Sequence, residues 1–288
     1  MSELAAGTRT VPTIDELRGL LAARRADGAS VALVPTMGAL HEGHLALVRR
    51  ARELADVVVV SIFVNPLQFG PTEDLDRYPR TVEADVAALS GLGVEFVFAP
   101  SVGEMYPDGA TGTTVVAGHV GSLYEGASRP GHFNGVLTVV SKLLHITTPD
   151  VVMFGQKDAQ QVYLVRRMVR DLDVPVAVDV VPTVREPDGL ALSSRNRFLS
   201  PERRAAALTL SEALRAADAA APQGLAEVLA EGAAAFGDHD DVTLDYLVVV
   251  DPDTFLPVEA DATGEAVVLV AARVGGVRLI DNAAITLG

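Results

Sequence analysis

Up to residue 181, short apolar runs alternate with stretches whose apolar residues recur at helical spacing. Residues 31–34 (VALV) stop at Pro35 and predict a strand. Residues 43–54 predict a helix, with Leu45, Val48 and Ala55 along one side. Residues 57–64 (VVVVSIFV) predict a second strand, and their near-continuous apolar character suits burial on both faces. Thr81 opens a helix with Glu83 in its first turn and Val86, Leu89 and Leu92 apolar, and Gly91 and Gly93 end it. Residues 95–99 (EFVFA) predict a third strand, stopped by Pro100, and 113–116 (TTVV) a small β excursion. A helix over 134–147, a strand over 151–154, a helix over 158–172 and a sixth strand over 174–181 complete the series. This alternation predicts an α/β fold, a parallel sheet doubly wound by helices on both faces.

Beyond Pro182 the pattern changes. Residues 201–235 are Ala-rich and predict two helices around Pro222 and Gly224. Strand-like runs follow at 244–250, 266–272 and 277–280, so residues 184–288 read as a smaller α+β domain after a first domain of 1–183. No Ser/Gly-rich or Pro-rich linker separates the two, and no repeat of solenoid period occurs.

The length of 288 residues agrees with two domains at roughly 150 residues each. With 23 Lys plus Arg against 38 Asp plus Glu, the formal charge is −15. Such a surface repels phosphate backbones and argues against a nucleic-acid partner, while leaving room for a small anion in a local basic pocket. The absence of cysteine excludes disulfides, thiolate metal sites and a Cys nucleophile. The first twenty residues show no basic segment followed by an apolar run, and no stretch approaches the ~20 apolar residues of a membrane span. The expectation is a soluble, cytoplasmic protein with no membrane partner.

The dinucleotide, P-loop, nucleophile-elbow and zincin signatures are missing, so the sheet has to carry another ligand-binding device at its strand ends. The first candidate is PTMGALHEGH, residues 35–44, which leaves a strand and enters a helix. The helix start offers unpaired N–H groups and the positive end of its dipole to an anion. His41 and His44, three residues apart, share that face and are suited to grip a triphosphate and stabilise charge developing at phosphorus. Capping histidines, or a metal site, would also fit this spacing. The second candidate is FGQKDAQQ, residues 154–161, where Lys157 is one of only two lysines, Lys142 being the other. Lys157 supplies a compact charge for phosphates, and Asp158 is placed to accept from ribose hydroxyls or simply to cap its helix. Of Gln160 and Gln161, one is expected to point inward. LSSRNR, residues 192–197, gathers hydroxyls and guanidiniums as a phosphate clamp does, or as a Ser-capped surface loop. In SIFVNPLQF, Asn65 and Gln68 offer neutral amides for hydroxyl and carboxylate oxygens, and Asn-Pro is also ordinary turn chemistry. Arg129 and His132 offer a cation and an imidazole from a Gly-rich flap.

The H-x-G-H pattern is the first signature of the nucleotidylyltransferase group, which includes class I aminoacyl-tRNA synthetases and makes adenylates. More specifically, the chain resembles the pantothenate synthetase (pantoate–β-alanine ligase) family. The resemblance runs through VPTMGALHEGH, SIFVNPLQF, DLDRYPRT, EGASRPGHFNGVLTVVSKL, FGQKDAQQ, VPTVREPDGLALSSRNRFL and VAARVGGVRLIDN, in family order from residue 34 to 282. It implies a Rossmann-like domain with a C-terminal lid, a homodimer, and a two-step ligation. ATP and pantoate give pantoyl adenylate and pyrophosphate; β-alanine then gives pantothenate and AMP. It further implies that His41, His44, Lys157, Ser193, Ser194 and Arg195 act on the phosphates. Met37, largely through its backbone N–H, Gln68 and Gln161 would hold pantoate. Gly155, Asp158 and Val184 would meet the adenosine, and Met37 and His44 would also contact ATP. Mg2+ would accompany the triphosphate, with Asp85 at an acidic position linked to the metal. Gln156 stands where the family commonly has Glu, Ala159 where an aromatic is common, and Ala84 where a second acid can occur. Another H-x-G-H transferase, and a non-catalytic nucleotide-binding regulator, are the competing readings.

Overall fold

The computed structural model describes residues 7–70, 81–109, 111–237 and 241–288. The first part runs β1 (Arg9–Val11), α1 (Ile14–Ala26), β2 (Val31–Thr36), α2 (Glu42–Leu54), β3 (Val57–Ile62), α3 (Val82–Leu89), β4 (Phe96–Phe98), α4 (Val102–Met105), α5 (Glu125–Ser128), α6 (His132–Thr147), β5 (Val151–Gly155), α7 (Ala159–Asp171) and β6 (Ala177–Val181). Its strands form one parallel sheet in the order β1-β4-β3-β2-β5-β6.

Residues of β2 alternate between two cores, as a pleated strand buried on both faces requires. Val31 and Leu33 join Leu17 and Leu21 of α1 and Leu137 and Leu144 of α6. Ala32 and Val34 join Leu47, Val48 and Ala51 of α2 and Leu89 of α3. The sheet is thus doubly wound. From β2 the chain proceeds to β3 on one side, and later returns to place β5 on the other. The switch point lies between β2 and β5, outside whose carboxyl ends ligands of such sheets bind.

Two strands differ from expectation. Residues 113–116 form none: Val115 N–H donates to Thr138 Oγ1 at 3.0 Å and Ala117 N–H to Asn134 Oδ1 at 2.9 Å. Side chains of α6 therefore satisfy a segment that in sequence looked ready for a ladder. The sheet instead gains β1, three residues long and too short to stand out. Helix α1, whose start is capped by the Thr13 hydroxyl accepting from Glu16 N–H, also carried no clear apolar signal.

The second part contains α8 (Pro201–Ala206), α9 (Leu208–Ala220), α10 (Leu225–Ala234), β7 (Val242–Val250), β8 (Gly264–Val274) and β9 (Val277–Leu287). The strands form an antiparallel meander. Leu210, Leu214 and Val228 of the helices bury their side chains with Val268, Val270 and Ala272 of β8. The fold is α/β with a smaller α+β part, and three helices stand where two were expected.

By internal contacts, residues 1–155 and 160–181 form one unit, and 156–159 with 182–288 form the other. The expected boundary between 183 and 184 lies two residues from the second crossing, and nothing in the sequence marked the excursion at 156–159.

Candidate active site

Thr36 closes β2, and its hydroxyl donates to Ser61 C=O of β3 at 2.7 Å, which ties the two strand ends together. The chain then turns through Gly38 and Ala39, with φ of +84° and +52°. A Cβ on Gly38 would lie 2.9 Å from Asp85 Oδ2, so glycine is needed for space as well as for φ. Asp85 is buried and accepts from Ala39 N–H at 3.0 Å, Leu40 N–H at 2.8 Å and Thr81 Oγ1 at 3.3 Å. Both oxygens of this carboxylate serve the loop. Among the described residues, no three His, Asp or Glu side chains gather as a metal site would require. Tyr78, Pro79 and Arg80, quoted from the same segment, lie outside the described residues.

The two histidines cap α2 reciprocally. His41 Nδ1 accepts from Gly43 N–H at 3.2 Å, and His44 Nδ1 accepts from His41 N–H at 3.3 Å. Backbone N–H groups only donate, so each Nδ1 presents a lone pair and each ring carries its hydrogen on Nε2. The rings stand 4.1 Å apart, tilted by 38°. The cap fixes the tautomer that makes each Nε2 a donor.

The turn after β3, a 3-10 helix over Pro66–Gln68, places Gln68. Gln68 Oε1 accepts from Asn65 Nδ2 at 3.1 Å, and Gln68 Nε2 lies 3.0 Å from Met37 Sδ. The structure thus brings Met37 and Gln68 together. It also binds Arg129 and His132 to the same turn: His132 Nδ1 bonds Gln68 C=O at 2.8 Å, while Arg129 reaches that oxygen at 3.3 Å and His132 Nε2 at 2.9 Å. Arg129 can only donate, so His132 carries its hydrogen on Nδ1. Asn65 departs from expectation. It is 1% exposed, and its amide is fully engaged by Leu67 N–H, Tyr106 Oη, Gln68 Oε1 and Gly135 C=O. It has no capacity left for a ligand. Tyr106 went unnoticed in the sequence, where a lone Tyr after a Met gives no signal.

At the end of β5, Gly155 leaves open space where a Cβ would be. Of the neighbouring glutamines, Gln160 is buried and bonds Val120 C=O, Leu123 C=O and Glu125 N–H. Gln161 is half-buried and has no side-chain hydrogen bond among the described residues.

In the second unit, Asn282 of β9 donates to Gln156 C=O and Lys157 C=O, each at 2.9 Å. Gln156 Nε2 donates back to Asn282 Oδ1 at 3.3 Å. Asp158 is exposed at the end of the 3-10 turn Gln156–Asp158. Val184 accepts from Leu192 N–H at 2.9 Å and so closes a hairpin that delivers the chain to Ser193. The Ser193 hydroxyl caps a 3-10 helix over Ser194–Phe198 by accepting from Arg195 N–H at 3.2 Å. Lys157 and Ser193 line one recess with Asn196, Ser211 and Asp281. Asp281, 4% exposed, is held by both Arg185 nitrogens at 2.6 and 2.9 Å. The Asp-Asn pair, two polar residues side by side in an apolar strand, was the sequence signal for this anchor.

A doubly wound sheet whose central strand runs into a reciprocal histidine cap defines an α/β enzyme of the H-x-G-H type. The chain belongs to the pantoate–β-alanine ligase family, whose model matches residues 9–284. It is 60% identical to the pantothenate synthetase of Leifsonia xyli subsp. xyli over 281 residues, covering 94% of this chain and 98% of the relative. A crystal structure of pantothenate synthetase from Thermus thermophilus superposes with a TM-score of 0.90 at 52% identity, covering 96% of this chain and 99% of that one. Another, of pantoate-beta-alanine ligase from Francisella tularensis complexed with beta-gamma ATP and beta-alanine, gives 0.78 at 35% identity, covering 96% and 97%. The expectation of an ATP-dependent ligase that joins pantoate to β-alanine stands on that membership.

Proposed function

We propose that the chain makes pantothenate by the two-step ligation, with its site residues in the roles that follow. The observation that carries this reading is the histidine cap: two Nε2–H donors and the N-terminus of α2 meet at the end of the central strand. His41, His44, Lys157, Ser193, Ser194 and Arg195 hold the triphosphate. Met37 and Gln68, which touch one another, and Gln161 hold pantoate. Gly155, Asp158 and Val184 meet the adenosine. The ligands named for the Francisella tularensis structure, beta-gamma ATP and beta-alanine, support the substrate class.

The pantoate carboxylate is already a nucleophile, so no covalent enzyme intermediate is needed. Its oxygen attacks the α-phosphorus as the bond to pyrophosphate breaks. The amine of β-alanine then attacks the acyl carbon, AMP leaves, and the nitrogen loses a proton. The protein's work is to bring two anions together in line, offset their repulsion and exclude water from the mixed anhydride. Ser193 to Arg195 come from the second unit. Mg2+ would accompany ATP and would lower the charge of the triphosphate. A homodimer in the cytoplasm completes the proposal. No helix among the described residues is long and apolar enough to cross a membrane.

The test is pyrophosphate release from ATP and Mg2+ with D-pantoate, with and without β-alanine. Pantoate-dependent pyrophosphate is expected, with AMP and pantothenate appearing only once β-alanine is added. His44→Ala and Lys157→Ala are each expected to slow the first step by about 10²–10³, the scale of losing one preorganised charge-stabilising donor. No pantoate-dependent pyrophosphate from folded, ATP-binding protein would leave a regulator or another transferase in its place.

A further inference from the structure

We infer that Tyr106, acting through Asn65, locks Gln68 as a hydrogen-bond donor, and that this polarity reserves the site for an oxygen of the acid substrate and turns away the ammonium group of the amine substrate. The inference rests on the proposed placement of pantoate at Gln68.

Two main-chain groups decide how the Asn65 amide is oriented. Leu67 N–H, 3.3 Å away, can only donate, so the atom facing it is Oδ1. Gly135 C=O, 3.1 Å away, can only accept, so the atom facing it is Nδ2. The Tyr106 hydroxyl, 2.8 Å from Oδ1, is then the donor of that pair. Burial pushes the Tyr106 phenol up to about 12, which keeps its hydrogen in place throughout the neutral range. The second hydrogen of Asn65 Nδ2 points at Gln68 across 3.1 Å, and only Oε1 can receive it. The far end of Gln68 is therefore Nε2, which has two hydrogens and no lone pair. Met37 Sδ, at 3.0 Å, is a weak acceptor for one of them. His132 and Arg129 hold the main-chain carbonyl of Gln68 and so fix the backbone from which this side chain extends. A carboxylate or hydroxyl oxygen satisfies the Nε2 donors, whereas an ammonium would set donor against donor.

Tyr106 is thus a positioning residue. Its hydroxyl is the second donor on Asn65 Oδ1 and polarises the amide that orients Gln68. In the full-length chain, Tyr106→Phe is expected to raise KM for pantoate about fivefold, the scale of one buried hydrogen bond. The kcat and the KM values for ATP and β-alanine should stay within about twofold, a split that a general loss of structure would not produce. Asn65→Asp sets a carboxylate against Gln68 Oε1 and forces the amide to turn its oxygen outward. Saturation by pantoate should then be lost, while ATP binding by titration calorimetry is retained. If Asn65→Asp does not fold, Tyr106→Phe decides alone. An unchanged pantoate KM in Tyr106→Phe, or KM values moving together for all three substrates, would overturn the inference while an active wild-type chain left the ligase reading standing. A wild-type chain without pantoate-dependent pyrophosphate release would overturn both.

Discussion

A single carboxylate shows how much a residue's role depends on partners distant in sequence. Asp85 accepts the N–H groups of Ala39 and Leu40, 46 and 45 positions away, and thereby holds the turn between Met37 and His41. That turn needs glycine at 38 and a positive φ of 52° at Ala39, a conformation a non-glycine residue keeps only when its surroundings insist. Asp85→Asn puts an NH2 group where an N–H donor has to be received. Stability should fall by about 1–3 kcal/mol, the cost of stranding a buried donor, and pantoate-dependent pyrophosphate release should fall with it. Thermal unfolding and the pyrophosphate assay, run on the same preparation, check this. A lower melting temperature with full activity would confine Asp85 to a structural role. The histidine pair was legible in sequence because its spacing and its strand-to-helix setting are local. The work of Asp85, Asn65 and Tyr106 was not, because each acts through partners that only the folded chain supplies.

Elements follow the same division. Strands β2, β3 and β5 stood out as runs of Val, Leu and Met buried on both faces, and α2 was bounded by its own cap and apolar stripe. Edge strand β1 did not stand out, and residues 113–116 imitated a strand because extended β-branched sequence says nothing about who will pair with it. The contact between α6 and the 3-10 helix Pro66–Gln68 was equally hidden, although one residue governs it. A Cβ on Gly135 would come within 2.1 Å of Leu67 O and 2.6 Å of Gln68 N. Gly135→Ala has a small gain in helix propensity, up to about 1 kcal/mol, set against overpacking that typically costs about 1–3 kcal/mol. Packing should win, displacing the turn that carries Gln68 and raising KM for pantoate by about tenfold at a penalty of about 1.4 kcal/mol. Steady-state kinetics with pantoate varied measure it; an unchanged KM would show that the turn is set without α6.

Across the whole molecule, sequence order and structural membership part company at one place. Lys157 lies two residues beyond the end of β5, yet residues 156–159 belong by contacts to the unit that contains 182–288. Asn282 explains why, since its amide donates to the carbonyls of both Gln156 and Lys157 at 2.9 Å. The lysine proposed for the phosphates is therefore encoded with one unit and anchored by the other. Neither composition nor periodicity reveals such a transfer, because both read neighbours along the chain. Asn282→Ala removes the anchor without touching the Lys157 side chain. It should raise KM for ATP and slow pyrophosphate release by about tenfold, equivalent to about 1.4 kcal/mol, while KM for pantoate stays near its wild-type value. That pattern is the reverse of the one expected for Tyr106→Phe, so measuring both variants against both substrates separates the two anchors. If Asn282→Ala weakens pantoate and ATP alike, the loss comes from general destabilisation, and Asn282 has no selective hold on the lysine.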